Sequence, residues 1–367
     1  MKKILYILGG LDRGGAESYL MNSLRNMDRS KYSFIIATFM SPTDGKKYAY
    51  EDEVRKMGIK LIRLRDTRTS KPWDFVKQIE TIVREENVDI VHSHIDFNSA
   101  LTLSGGRRGG AKKLIAHSHN TNNVNLKSFK GRLAAKLMRR RLNRLADVRI
   151  ACGEEAGKFL FGRNRYTVIS SGINLDTFKF NEQYRKELRE KYKISKDTRV
   201  WLTVGRLEEV KNHDFLLSLL TNYRDQCPNT QLFIIGDGSL ADQYKERIKQ
   251  LKLAKQVHLL PSRADINKYY SMADVFMLPS FFEGVPTVGI EAQANGLKCL
   301  FSTNVPIQTK LLNTSEFLLL DHPQDWVKAA QEITPISARK NATKVAAVQE
   351  FNVKKLVKKL EEIYDAE

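Results

Sequence analysis

Short apolar, β-branched runs alternate with helical patterns along the whole chain, and this alternation narrows the possible folds more than any other feature. The first half offers KKILYIL (2–8), SFIIATFM (33–40), KLIRL (60–64), DIVHSH (89–94), KLIAHSH (113–119), DVRIAC (147–152) and YTVIS (166–170). The second offers VWLTVG (200–205), QLFIIG (231–236), VHLLP (257–261), DVFMLPS (274–280), KCLFST (298–303) and EFLLL (316–320). Runs that are apolar throughout, not at every second residue, predict parallel strands covered on both faces by the intervening helices. Between the two series lies SSGINLDTFKFNEQYRKELREKYKISKDTR, a turn and a charged helix with no strand. That stretch marks a boundary. The fold expected is α/β, with two doubly wound domains in tandem (residues 1–172 and 173–351) and ligands at the carboxyl ends of the strands. Val353, Leu356, Leu360 and Ile363 give residues 352–367 an apolar helical stripe, expected to pack back on the first domain.

Several classes of protein are disfavoured. No run approaches the roughly 18 apolar residues of a membrane span. The first apolar run, Ile4 to Leu8, is cut short by glycines and has no small-residue cleavage site, so it reads as a buried strand and not as a signal peptide. Cys152, Cys227 and Cys299 are far apart and form no C-x-x-C pair, giving neither a disulfide framework nor a zinc site. A cytoplasmic protein is expected. The net charge of +19 is uneven: residues 107–149 hold 13 basic residues and one acid, Asp147.

Three segments carry chemistry. In GRLEEVK (205–211), Arg206 and Lys211 follow a strand and lead into a helix, a place suited to a diphosphate. In FFEGVPTVGIEAQANG (281–296), Pro286 fits a first helical position, leaving the N–H groups of Thr287, Val288 and Gly289 free to face an anion. Glu283 precedes that helix and Glu291 lies within it, two carboxylates for hydroxyls on either side of a charged group. No two aspartates stand two apart, so no D-x-D holds a divalent ion and protein cations must neutralise the phosphates; no metal or cofactor is expected. IIGDGSLA (234–241) imitates a dinucleotide fingerprint, but the next strand ends without the acid that would bind the cofactor's ribose. A tight turn in a nucleotide pocket, with Arg263 near the base, is the expectation there.

These segments, together with the glycine pair in GGLDRGGAES (9–18) and the turn in TVISSGINLDTF (167–178), resemble the retaining glycosyltransferases of family 4 in order and separation. The resemblance covers about residues 5–305. It implies the GT-B fold, two facing Rossmann-like domains with a cleft between them. It further implies that Glu291 accepts from the nucleotide ribose and that Glu283 holds a hydroxyl of the donor sugar. Arg206 and Lys211 would stabilise the departing diphosphate, assisted by main chain at Gly284, Val285, Pro286, Thr287 and Val288. Gly15 would let backbone approach the phosphates, and His119 would meet the donor sugar. The implied activity is metal-independent transfer of a sugar from a nucleotide diphosphate to a lipid-linked glycan acceptor. Two departures concern the sugar and the phosphate contacts: Gly284-Val285-Pro286 stands where many relatives have Gly-Phe-Gly, and Ser171-Gly172-Ile173-Asn174 replaces a common Asn-Gly turn. A weaker resemblance is to transferases of bacterial exopolysaccharide and capsule clusters. The alternatives are a sugar-nucleotide epimerase on the same fold and a non-catalytic basic binding protein.

Two further features stand beside the resemblance. His92 and His94 end one strand and His117 and His119 another, each pair sharing a face. Four histidines are enough for a metal cluster, but no carboxylate or cysteine stands near at ligand spacing. Hydrogen-bonded structural histidines are expected, with His117 as the alternative to His119 at the sugar. In the basic segment 127–149, Phe129, Leu133, Leu137, Leu142 and Leu145 form a helical stripe whose full length suggests packing on the first sheet. Packing gives no reason for Arg139, Arg140 and Arg141. The cluster suits an anionic membrane surface, and the expectation is peripheral association with the inner face of the cell membrane. Nucleic acid is not expected, because aromatic residues do not interleave with the charges.

Overall fold

The computed structural model describes residues 1–12, 14–39, 48–65, 71–120 and 128–366. The chain divides into two compact units, Met1–Gly172 with Val353–Glu367, and Ile173–Asn352.

The first unit is built on β1 (Lys2–Leu8), β2 (Tyr32–Phe39), β3 (Lys60–Leu64), β4 (Ile90–Ser93), β5 (Lys113–Ser118), β6 (Val148–Ala151) and β7 (Thr167–Val168). They form one sheet in the order β3-β2-β1-β4-β5-β6-β7, every neighbouring pair parallel. The apolar runs are buried as their composition demands, with Ile4 to Leu8 fully enclosed. One face of the sheet is covered by helices Gly15–Asn26 and Val353–Asp365, whose Tyr19, Leu20, Leu24, Leu356, Leu360 and Tyr364 join the strands in one core. The other face carries Pro72–Glu85, Ser99–Gly109 and part of Phe129–Leu145. Gly105, Gly106 and Gly109 let the second of these helices lie close to the first and to the sheet; a Cβ at Gly105 would collide with Ile79 and the Val76 carbonyl.

The second unit holds β8 (Arg199–Val204), β9 (Thr230–Ile235), β10 (Val257–Leu260), β11 (Val275–Leu278), β12 (Lys298–Ser302) and β13 (Ser315–Leu318), in the order β10-β9-β8-β11-β12-β13 and again parallel throughout. In each sheet the strand order reverses beside the first strand, between β1 and β4 and between β8 and β11. Loops leaving the carboxyl ends of those strands splay apart there, and the crevice left is where doubly wound sheets bind ligands.

Helix Phe129–Leu145 corrects one expectation. Leu142 is buried, but Leu133 and Leu137 are 51% and 56% exposed, so only the C-terminal half of the stripe packs. Two of the three consecutive arginines have structural partners after all. Arg139 donates to the Phe159 carbonyl (2.7 Å), and Arg141 donates to the Ser104 hydroxyl (2.9 Å). Lys127 lies outside the described residues, as does the side chain of Phe129. Among the described residues, no helix is long and apolar enough to cross a membrane.

Candidate active site

In the second unit the candidate residues leave the switch point on two loops. The loop after β8 runs through Gly205 and Arg206 to a single turn, Glu209–Lys211, and then through Asn212 in the left-handed region (φ 53°) into helix His213–Asn222. It is pinned to the loop after β9. Leu207 N–H donates to the Asp237 carbonyl (2.9 Å), and Leu240 N–H to the Leu207 carbonyl (3.0 Å). Gly236 and Gly238 permit this contact, since a Cβ at either would strike the carbonyl of Gly205 or of Leu207. The dinucleotide-like glycines therefore serve backbone packing. On the other side, Phe281 N–H donates to the Val210 carbonyl (2.8 Å) and Asn212 Nδ2 to the Pro279 carbonyl (3.1 Å), which ties in the loop after β11.

This framework brings Lys211 against Glu283. Lys211 Nζ lies 2.5 Å from Glu283 Oε1, and the Ser280 hydroxyl donates to the same oxygen at 2.6 Å. The side chains are 14% and 11% exposed, so the pair is largely desolvated, while the other carboxylate oxygen has no protein donor among the described residues. Arg206 is exposed. Its carbonyl accepts from His213 Nε2 (3.2 Å), and burial holds His213 neutral with a pKa pushed down to about 4.

Glu283 lies in the loop that leads to helix Thr287–Ala294. Pro286 is the residue before the first helical position, with ψ at 116°, where a first helical position was expected. Its ring fits either place, because φ is alike in both. The shift has a consequence: the Gly289 N–H turns back onto the Pro286 carbonyl (2.9 Å), leaving Thr287 and Val288 as the open donors. Gly284 is exposed with open space where a Cβ would be, whereas Val285 packs beside Ile173, Leu175 and Ile290. Glu291, one turn along, accepts from the Tyr270 phenol at Oε2 (2.8 Å). Burial raises its pKa to about 7, against the lowering effect of that hydrogen bond. Arg263 is committed locally, its guanidinium forked onto Asp265 (2.8 and 3.1 Å) and lying over the Tyr269 ring (5.1 Å).

In the first unit, Gly15 opens helix Gly15–Asn26 just after β1, and a Cβ there would meet nothing within 4 Å. At the ends of β4 and β5 the four histidines form a stack. His94 Nδ1 lies 2.7 Å from His119 Nε2, and His92 Nε2 lies 3.2 Å from His117 Nδ1. His92 Nδ1 meets the Tyr364 phenol (2.8 Å), which meets that of Tyr6 (2.6 Å). His92, His94 and His117 are buried, and His119 is only partly so. Burial depresses all four pKa values, to about 3 for His92 and His119, so the stack is neutral. Ring nitrogens of His92, His94 and His117 come within 4.8 Å of one another. The rings, however, are tilted by only 12° to 31°. Imidazole lone pairs lie in the ring plane, so near-parallel rings aim them side by side and not at one tetrahedral centre.

Ser280, Tyr270 and His94 are the supporting residues that sequence reasoning did not single out for these roles. Only His94 carried a signal, its two-residue spacing from His92.

The profile of the family described as "Glycosyl transferases group 1" matches residues 184–350, and that of "Glycosyltransferase Family 4" matches residues 13–177. EpsF of Bacillus subtilis, named as a glycosyltransferase, is 34% identical over 310 residues, 83% of this chain and 80% of EpsF. CapH of Staphylococcus aureus, named as a capsular polysaccharide biosynthesis glycosyltransferase, is 24% identical over 378 residues, 99% of each chain. The crystal structure of Anabaena Alr3699/HepE in complex with UDP and glucose superposes with a TM-score of 0.79 at 17% identity, covering 100% of both chains.

Proposed function

The chain belongs to the family 4 glycosyltransferases and has the GT-B fold of two Rossmann-like domains, and from that premise we propose that it builds a polysaccharide by moving a sugar from a nucleotide diphosphate to a lipid-linked glycan, retaining configuration and using no metal. The observation that carries this is the desolvated Lys211–Glu283 pair beside the open N–H groups of Thr287 and Val288.

Departure of a nucleotide diphosphate leaves negative charge on the leaving oxygens and positive charge on the sugar ring. Lys211 and Arg206 supply the positive charge and Thr287 and Val288 the backbone donors that a divalent ion would otherwise replace. Lys211 is already held in place by Glu283, so little reorganisation is needed at the moment of reaction. The free oxygen of Glu283 accepts from a sugar hydroxyl, and Glu291, braced by Tyr270, accepts from the ribose. His119 and Gly15 bring the first unit's contribution to sugar and phosphate. The bond from the anomeric carbon to the diphosphate oxygen breaks with its electron pair going to the diphosphate. The acceptor hydroxyl oxygen then forms the new bond on the same face and gives its proton to the departing diphosphate, so no side chain is needed as general base.

The lipid carrier is supported by helix Phe129–Leu145. Arg132, Lys136, Arg140 and Arg144 recur every fourth residue and all are exposed, beside the exposed Leu133 and Leu137. A stripe of cations next to protruding leucines suits the headgroup layer of an anionic membrane, at about 1 kcal/mol per basic residue near the surface. This would hold the enzyme on the cytoplasmic face, where its acceptor is anchored.

The test combines calorimetry against UDP- and GDP-sugars with mass spectrometry of extracted lipid-linked intermediates. A mass increase of one sugar on the lipid, absent in Glu283→Ala, is the expected result. An isomerised donor formed without acceptor would make the chain an epimerase, and absence of donor binding would make it a binding protein. Flotation with anionic liposomes should be lost when Arg132, Lys136, Arg140 and Arg144 are all changed to glutamine; equal flotation would remove the membrane from the proposal.

A further inference from the structure

We infer that His94 locks His119 into the neutral tautomer protonated on Nδ1, so that His119 offers its ligand a hydrogen-bond donor and not an acceptor. The inference rests on the proposal that His119 faces the donor sugar.

In the His94–His119 contact one ring nitrogen must donate and the other accept, and the 2.7 Å separation allows either direction. The far side of His94 decides between them. Its Nε2 is buried and has no hydrogen-bond partner. If His119 Nε2–H donated, the His94 proton would sit on that orphaned Nε2, leaving a buried N–H unmet. If His94 Nδ1–H donates, the orphan is a bare lone pair. Unpaired buried donors are the rarer of the two in folded proteins. His94 therefore donates from Nδ1 and His119 accepts at Nε2, which leaves the proton of neutral His119 on Nδ1. His119 is the one residue of the four that is only partly buried.

The neighbouring chain can run in the matching direction. His117 Nε2 is also buried and unpartnered. Keeping it bare puts the His117 proton on Nδ1, donating to His92 Nε2. His92 then donates from Nδ1 to the Tyr364 oxygen, and Tyr364 to Tyr6. That direction leaves the Tyr6 hydroxyl proton without an acceptor among the described residues, and the reverse leaves His117 Nε2–H unmet, so this chain does not fix its own direction. The two hydrogen-bonded pairs lie stacked, with His92 over His94 at 4.4 Å and His117 over His119 at 4.2 Å between ring centres. His119 thus has little freedom to turn its ring over.

The experiment uses full-length protein carrying 15N-labelled histidine. The seven histidines are assigned by single substitutions, and long-range proton–nitrogen spectra at pH 7.5 separate the tautomers. His119 is expected to show a protonated Nδ1 and a bare Nε2. His94→Leu should yield a mixture of tautomers and lower kcat about tenfold with the donor KM nearly unchanged. His94→Asn, which keeps an N–H near the position of Nδ1, should restore both. A protonated Nε2 on His119 in the wild type would overturn the inference, as would an unaltered tautomer in His94→Leu. If the wild-type tautomer is as inferred but His119→Ala leaves turnover intact, the tautomer assignment stands and the placement of His119 at the sugar falls.

Discussion

Single side chains set two sharp expectations. Glu291 titrates near pH 7 because burial opposes its charge, and accepting from ribose hydroxyls requires the carboxylate form. Affinity for a nucleotide-diphosphate sugar, whose diphosphate does not titrate in this range, should fall about tenfold between pH 8 and pH 6, and Glu291→Gln should bind weakly at both. Calorimetry at the two pH values checks this. Stability moves the opposite way. A carboxyl whose folded pKa lies above its ordinary value of 4.5 contributes stability below about pH 4.5, lost as pH rises through about 7. Without ligand, the melting temperature of Glu291→Gln should therefore gain on that of the wild type between pH 5 and pH 8. For Lys211 and Glu283 the pairing itself is the point. Lys211→Met leaves a desolvated carboxylate held only by Ser280 and should cost on the order of 2 kcal/mol in denaturant unfolding, much of it recovered in Lys211→Met/Glu283→Gln. Lys211→Met and Glu283→Gln should each lose turnover by about 100-fold or more. Glycines divide by what surrounds them. Gly236→Ala should destabilise the second unit by about 3 kcal/mol, because the Cβ meets backbone. Gly15→Ala meets open space and should leave the melting curve unchanged while weakening donor binding.

At the scale of helices and strands, most of the architecture could be read in advance, and the misses have physical causes. Continuous apolar runs located the thirteen strands of the described residues because a strand buried on both faces cannot hide its composition. The exception in clarity is β7, reduced to Thr167–Val168. The start of helix Thr287–Ala294 was misplaced by one residue because proline's fixed φ suits both adjacent positions, and only ψ separates them. In helix Phe129–Leu145 the spacing of leucines gave a stripe but not the face that packs: Ala135, Met138, Leu142 and Leu145 meet the core, whereas Leu133 and Leu137 protrude. The Lys211–Glu283 contact spans 72 positions and depends on two ties between loops, one from the Phe281 N–H and one from the Asn212 side chain; spacing within either motif holds no trace of it. The direction of the histidine hydrogen bonds was equally hidden, since it follows from which nitrogens are left without partners.

At the scale of the whole chain, the first unit is assembled from two segments that flank the second. Leu360 is completely buried in its core, and the phenol of Tyr364 reaches the histidine stack through His92. Leu360→Ala should cost the first unit about 2–5 kcal/mol and leave the second unaffected, so calorimetry should show one transition moving alone. The chain crosses out at Gly172 and returns at Val353, with all of the second unit made in between. On the ribosome this inverts the usual N-to-C order of maturation. The nascent first sheet must wait, one apolar face covered only by helix Gly15–Asn26, while another 180 residues emerge. The histidines at its strand ends meet Tyr364 only after the whole second unit has been made, so a ribosome that stalls in between leaves a finished second unit attached to an unsealed first one.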